Sequence, residues 1–295
     1  MPTFAAVDIG ANSVRLKIAR VLRNSMDDLQ FLDAISDHMA IAMENAKLHI
    51  ELLEKQRMEQ ELQLGREIQG RLLPQPPVDV RDTQLAALSV PCYEVGGDYY
   101  DFIELPDGDV GLAIGDVSGK GVSAALIMSS VQAALRVAAP IEDDLARLVQ
   151  RLNALIYRSA RGRKYATFFF GRYTPSTGCL RYVNAGHNPP FATTPDGTRE
   201  LPSTGKPIGI FPDSTYMEMT IDLPPGSTLF LYTDGLNEAA DPEEEEFGMT
   251  RLVDLFRAEQ ATPANEIPQR VVDAITRFER GARVTDDKTI VILRR

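Results

Sequence analysis

The sequence has no tryptophan, two cysteines and three histidines in 295 residues. Each shortage closes off some chemistry. Cys92 and Cys179 lie far apart with no metal-ligand spacing, so neither a disulfide framework nor a thiolate metal site is expected. A reducing cytoplasm suits that composition. Neither cysteine has an arginine six residues on, which argues against a cysteine nucleophile. His38 and His49 fall on a stretch of helical periodicity, leaving His187 alone, too few for a multi-histidine zinc site. There is no apolar run of eighteen residues, so no membrane span is expected, and no charged segment followed by an apolar one marks a secretory signal. Positive charge is also scarce. The formal net charge is −11 and no basic patch stands out, so a nucleic-acid footprint is not expected.

What the chain does have is a set of acidic turns over its last two-thirds. They are Gly96-Gly97-Asp98-Tyr99-Tyr100-Asp101, Gly115-Asp116-Val117-Ser118-Gly119-Lys120-Gly121, Tyr232-Thr233-Asp234-Gly235-Leu236-Asn237-Glu238-Ala239 and Thr285-Asp286-Asp287-Lys288-Thr289. Strand-like runs lead directly into two of them, Val110 to Ile114 before Asp116 and Leu229 to Tyr232 before Asp234. Carboxylates that converge at the ends of buried strands repel, by roughly 4 kcal/mol at about 4 Å and an effective dielectric of ~20. Convergence therefore calls for a cation, and hard divalent ions suit oxygen ligands. Any one of these aspartates also reads as a turn cap. Four together favour metal-assisted hydrolysis over a binding module.

Three segments differ in texture. Residues 1–24 read as short strands (Phe4 to Val7, Asp8 to Gly10, Val14 to Ala19). Residues 25–75 hold a long helix over 27–73, with an apolar stripe from Leu29 through Ile35, Met43 and Ile50 to Leu53 and a second at Leu64, Ile68 and Leu72. Polar residues interrupt the heptad between Lys55 and Glu61. The helix reads either as a dimerising signalling helix or as an amphipathic helix packed on its own domain. Pro74 and the prolines after it end it. Residues 76–295 form a mixed domain. Its expected strands are Gln84 to Pro91, Val110 to Ile114, Thr167 to Tyr173, Leu180 to Asn184, Tyr216 to Leu223, Thr228 to Tyr232 and Thr289 to Leu293. Its expected helices are Gly121 to Ala138, Asp143 to Arg161, Met249 to Ala258 and Ala264 to Arg280. The pattern is α+β with antiparallel sheets.

Other readings of the motifs fail on context. Gly119-Lys120-Gly121-Val122-Ser123-Ala124 matches a dinucleotide fingerprint, but no second parallel strand with a ribose-binding acid follows. It is no Walker loop, because Lys120 precedes Gly121 rather than Ser or Thr. Asp107-Gly108-Asp109 lacks the context of an aspartyl-phosphate site, and no nucleophile elbow accompanies His187. His187 is read as a general acid or substrate contact, or as a turn residue bonded locally. Lys120 could meet a phosphate or simply be solvated, and Asp101 and Glu238 could orient waters near the ligands.

In order, the acidic motifs together with Asn184-Ala185-Gly186-His187-Asn188-Pro189-Pro190 and Gly205-Lys206-Pro207-Ile208-Gly209 resemble the metal-dependent PPM, or type 2C, protein phosphatases, in their SpoIIE/RsbU branch. The resemblance covers about residues 60 to 295. It implies an α-β-β-α sandwich of two antiparallel sheets flanked by helices, with two Mn²⁺ or Mg²⁺ ions between the sheets. It implies that Asp116 bridges both ions and that the Val117 carbonyl completes one shell. It further implies that Asp98, Asp234 and Asp286 are ligands and catalytic residues, with Asp287 the alternative to Asp286. Attack of an activated water on phosphoserine or phosphothreonine is the implied reaction, and a STAS-type anti-sigma factor antagonist the implied substrate. A pseudophosphatase that binds a partner through the same surface is the alternative. Met26 to Glu54 resembles the last helix of a GAF sensor domain. Phe4 to Val21 resembles the first phosphate loop of exopolyphosphatases, where Asp8, Gly10, Asn12 and Ser13 would meet phosphate. The rest of that fold is missing, and a phosphotransfer ATPase is a remote reading.

Overall fold

The computed structural model describes residues 4–10, 13–19, 26–74, 80–93 and 95–295, with side chains from residue 34 onward. The chain divides into two compact units, Met1–Leu62 and Gln63–Arg295.

In the first unit β1 (Phe4–Gly10) and β2 (Ser13–Ala19) form an antiparallel hairpin closed at Gly10↔Ser13. The two short strands expected before Gly10 are one, since no breaker separates Val7 from Asp8. Asp8, Gly10 and Ser13 lie on the paired strands, and Asn12 lies outside the described residues. Helix α1 (Met26–Leu72) follows, 47 residues long. Good helix formers and i,i+4 ion pairs such as Lys47–Glu51 and Arg57–Glu61 support it. Its apolar residues Ile41, Leu48, Ile50, Leu53 and Met58 are all exposed.

The second unit runs from the last turns of α1 through β3 (Gln84–Val90), β4 (Asp98–Glu104), β5 (Val110–Val117), α2 (Val122–Ala138), α3 (Leu145–Ala160), β6 (Ala166–Thr174), β7 (Cys179–Ala185), β8 (Phe191–Thr194) and β9 (Gly197–Glu200). It continues with β10 (Met219–Asp222), β11 (Thr228–Tyr232), the one-turn α4 (Asp234–Asn237), α5 (Gly248–Ala258), α6 (Ile267–Glu279) and β12 (Lys288–Arg294). Two five-stranded sheets result, ordered β10-β7-β6-β5-β4 and β3-β12-β11-β8-β9, with every pairing antiparallel. Period-two alternation sorts their side chains. Tyr100, Phe102, Leu112, Ile114, Phe169, Leu229, Leu231 and Val291 fill the space between the sheets. The alternate residues Tyr99, Ile103, Ala113, Phe168 and Phe170 pack under Met128, Leu135, Leu148 and Leu152 of α2 and α3. On the far side Phe230, Tyr232, Ile290 and Ile292 pack under Phe256, Val271 and Ile275 of α5 and α6. The layers are α-β-β-α, as the resemblance implies.

The expected helices form within a few residues of their sequence bounds. Asp144 caps α3 by accepting from the Arg147 N–H at 2.9 Å, and Gly119 and Gly121, at φ +83° and +75°, carry the chain from β5 into α2. The sequence did not anticipate β4. Its first six residues, Asp98 to Ile103, are buried on both faces, so no alternation of polar and apolar residues marks it. The β8–β9 hairpin was also missed, although its Asp196-Gly197 turn was visible.

The same alternation puts Asp101 on the helix-facing side of β4, opposite to Asp98. Asp101 is fully buried and accepts two bonds from Arg136 of α2 (2.7 and 2.9 Å) and one from the Tyr99 hydroxyl (2.8 Å). It therefore ties α2 to the sheet and does not orient waters at the acidic turns. Removing Arg136 would leave a buried carboxylate without its cation. Arg136→Ala should cost about 3–5 kcal/mol in urea unfolding, and Asp101→Asn in the same background should recover part of the loss. A cost under about 1 kcal/mol would contradict a role for the pair.

Candidate metal centre

The four acidic turns meet at one end of the sandwich. Asp98 opens β4 and Asp116 lies near the end of β5, and the two are register partners. Directly opposed residues on antiparallel strands have Cβ atoms about 5 Å apart. Both belong to the inter-sheet face, so their carboxyl groups point toward the second sheet. There β11 ends at Tyr232 and α4 begins with Asp234, while Asp286 and Asp287 precede β12.

Thr233 ties the sheets together at this point. Its hydroxyl donates to Asp98 Oδ2 (2.8 Å) and accepts from the Thr289 N–H (3.0 Å), and its own N–H donates to the Thr289 carbonyl (3.1 Å). Asp287 acts as a clamp. Its two carboxyl oxygens accept the backbone N–H groups of Cys92 and Gly97, each at 2.8 Å. Asp286 instead faces out, 3.0 Å from the Lys120 ammonium, which also donates to the Thr285 carbonyl. Of the two adjacent aspartates, Asp286 accepts one backbone bond, from the Asp287 N–H to its Oδ1 (3.0 Å), and turns Oδ2 to Lys120, whereas Asp287 spends both oxygens on the loop before Asp98.

Three glycines allow the close approach. A Cβ on Gly97 would sit 2.9 Å from the Val117 carbonyl oxygen and 3.4 Å from Asp116 Oδ1. One on Gly96 would sit 2.6 Å from Asp287 Oδ2, and one on Gly235 only 2.0 Å from the Asp287 carbonyl oxygen. The Val117 carbonyl and the Asp116 carboxyl thus border the same small cradle.

The electrostatics record the crowding. Burial, then the charges of Asp234, Asp286 and Asp287, push Asp116 up to about 7, with Lys120 partly opposing. Burial and the neighbouring Asp116 and Asp287 hold Asp98 well above the usual carboxylate range, against the hydroxyl bonds of Thr289 and Thr233. Burial and Asp286 raise Asp234, and Glu238 is raised by burial, then by Asp234. Among the described residues no three such side chains are drawn into a finished ligand cage. An all-oxygen donor set with one nearby lysine fits a hard divalent cation and excludes a soft one.

His187 bonds to none of these acids, although its partner Thr167 is the register neighbour of Asp116. It is buried, its backbone N–H donates to Asn184 Oδ1 (2.8 Å), and its Nδ1 is 2.9 Å from the Thr167 hydroxyl. Its Nε2 has no hydrogen-bond partner of normal geometry. Burial pushes the imidazole down to about 4, so it is neutral at physiological pH. The surroundings match the local turn role.

Two contributors carried no sequence signal. Thr233 is one. The other is Gln69, in the last turn of α1, whose amide grips the Gly96 peptide from both sides: Nε2 donates to the Gly96 carbonyl (2.8 Å) and Oε1 accepts its N–H (3.0 Å).

A family model for stage II sporulation protein E (SpoIIE) matches residues 106–295. The chain belongs to the SpoIIE family. Its second unit has the fold of the PP2C-type phosphatase domains. Protein IcfG of Synechocystis is 34% identical over 226 residues, covering 67% of this chain and 36% of that protein. Phosphoserine phosphatase RsbU of Bacillus subtilis is 26% identical over 243 residues, covering 82% of this chain and 72% of RsbU. Among solved structures, the SiaA PP2C domain of Pseudomonas aeruginosa superimposes with a TM-score of 0.72 at 24% identity, over 82% of this chain and 98% of that one. The chain thus spans about a third of IcfG and most of RsbU.

The raised carboxyl groups have a consequence for stability. Asp116 binds its proton more tightly in the folded chain than unfolded, so the stability it contributes is full below about pH 4 and is lost as pH rises through about 7. In protein treated with a chelator, Asp116→Asn should gain on wild type by on the order of 2–4 kcal/mol between about pH 5 and pH 8. Urea-unfolding curves that stay parallel across that range would show that the carboxylates do not converge.

Proposed function

We propose that the chain is a Mn²⁺- or Mg²⁺-dependent phosphatase acting on phosphoserine or phosphothreonine of a regulatory protein, by analogy a STAS-type anti-sigma factor antagonist in a partner-switching pathway. The observation that carries this is the convergence of Asp98, Asp116, Asp234 and Asp286 on one cradle floored by Gly97 and bordered by the Val117 carbonyl.

In this reading Asp116, Asp98, Asp234, Asp286 and the Val117 carbonyl would hold the ions, Asp116 being the residue that would serve both. Bound divalent ions lower the pKa of a coordinated water and offset charge on phosphoryl oxygens. The protein's own part is positioning. Thr233 aims Asp98 across the cleft, and Asp287 fixes the backbone before Asp98 at Cys92 and Gly97 and supplies no ligand oxygen. Lys120, paired with Asp286, can turn to an incoming phosphate. No side chain serves as a covalent nucleophile.

Helix α1 is read as the regulatory input, in keeping with its GAF-like stretch. Its exposed residues Leu64 and Ile68 offer a surface for pairing with a second copy, and Gln69 carries the helix's position to Gly96. The phosphate-loop-like hairpin contributes no activity in this reading. Among the described residues no helix is long and apolar enough to cross a membrane.

The test is hydrolysis of p-nitrophenyl phosphate and of a phosphoserine protein by the full chain, with Mn²⁺ or with EDTA. Release should require Mn²⁺ and fall at least about 100-fold in Asp234→Asn, the scale of losing one transition-state charge contact. Gln69→Leu should shift the Mn²⁺ concentration needed without abolishing release. Mn²⁺ binding without any turnover would favour the pseudophosphatase, and turnover that survives EDTA would refute the metal mechanism.

A further inference from the structure

Averaged over the chain, the charge of −11 hides a strong asymmetry. Between Asp144 and Asp196 the sequence contains no acidic residue. Part of the positive charge there is consumed locally. Arg147 and Arg151 pair with Glu142, and Arg172 and Arg181 pair with Asp109, Asp143 and Glu218. Arg158, Arg161, Arg163 and Lys164, at the end of α3 and in the turn after it, form no ion pair among the described residues, and the three arginines are exposed.

This turn is fastened to Ser118, in the turn that follows Asp116 and the end of β5. Lys164 Nζ donates to the Ser118 carbonyl (2.8 Å), the Ser118 N–H donates to the Tyr165 carbonyl (2.8 Å), and the Tyr165 N–H donates to the Ser118 hydroxyl (3.0 Å). On its other side Ala166 and Ile208 exchange backbone bonds of 2.9 Å. That brings in the loop of Lys206, whose ammonium lies 4.5 Å from the centre of the Phe211 ring. A cleft of about 550 Å³ opens there, lined by Lys206, Phe211, Thr215 and one carboxylate, Asp213, among others. Tyr165 and Phe211 are 43% and 49% exposed. One continuous rim beside the metal centre therefore carries Arg161, Arg163 and Lys206 with two exposed aromatic rings.

We propose that this rim is the docking surface for an acidic segment flanking the phosphorylated residue of the protein substrate. The inference rests on the phosphatase reading and adds what selects the substrate. A chain of this net charge repels an acidic phosphoprotein at long range. Cations collected on one edge of the site reverse the local potential and orient the approach. Arginine is suited to the task because its planar guanidinium takes a carboxylate in bidentate fashion. The aromatic rings supply apolar contact beside the charges.

The experiment compares phosphoserine peptides of equal length with Asp/Glu, Ser/Gln or Lys flanks, using the full chain with Mn²⁺ and p-nitrophenyl phosphate as the small reference substrate. The acidic peptide should be preferred over the neutral one by ~3- to 10-fold in kcat/KM, through KM, as two exposed ion pairs allow. The preference should fade between about 0.15 M and about 1 M salt. It should collapse in Arg161→Gln/Arg163→Gln and persist in Arg161→Lys/Arg163→Lys. Equal use of the acidic and neutral peptides, or a preference that survives the glutamine pair, overturns the proposal. Fluorescence anisotropy of the same peptides separates it from the reading beneath it. If p-nitrophenyl phosphate is not turned over, the phosphatase reading fails. The rim then stands if the acidic peptide binds in a manner sensitive to both arginines, and falls if it does not.

Discussion

Everything at the working end of this molecule depends on holding like charges close together. Asp98 and Asp116 sit side by side across a strand pair, with Asp234 and Asp286 brought toward them from the other sheet. No hydrophobic core favours that arrangement. It is imposed by two sheets whose other contacts are strong enough to outweigh it: three packed apolar layers and a register that runs the full length of β4, β5 and β6. The site is a strained region stabilised by the rest of the domain. Burial first, and then the neighbouring carboxylates, raises Asp98, Asp116 and Asp234, and such a cluster is a place that a bound cation would relieve.

The supports around the acids follow from the same constraint. Thr233 bonds to Asp98 from the second sheet, so the position of one carboxylate depends on the docking of the two sheets. Asp287 accepts the N–H groups of Cys92 and Gly97, so the approach to Asp98 is set by a residue just before β12 of the opposite sheet. Gln69 bonds to the middle of that loop from the last turn of α1. A small movement of this turn would act on the Gly96 peptide, one residue from the Gly97 cradle. The last turn of α1 and the loop before the acidic cluster are in this way joined by a side-chain amide.

Much of this was legible in the sequence, for physical reasons. Val110 to Ile114 and Leu229 to Tyr232 are apolar enough to be buried strands, so the carboxylates that follow them had to lie at strand ends. Gly119 and Gly121 marked the turn into α2. Strand β4 escaped because both its faces are buried and its polar groups, Asp98 and Asp101, serve different layers. Asp101 looked like a neighbour of the ligands because it is close in sequence, yet alternation sends it to the opposite face. Nothing in the dipeptide Asp286-Asp287 says which carboxylate is spent on backbone N–H groups. Thr233 and Gln69 needed three-dimensional partners to be noticed. The basic turn at Arg158 to Lys164 was masked by an average charge dominated by acids elsewhere.

The central claim is that the four acidic turns assemble a site for divalent cations, and counting the ions tests it most directly. Calorimetric titration of chelator-stripped full chain with Mn²⁺ should show saturable binding of about two ions, as a two-metal site requires. Asp116→Ala should lose both, because that residue is shared between them. Absence of saturable binding, or binding unchanged in Asp116→Ala, would contradict the account.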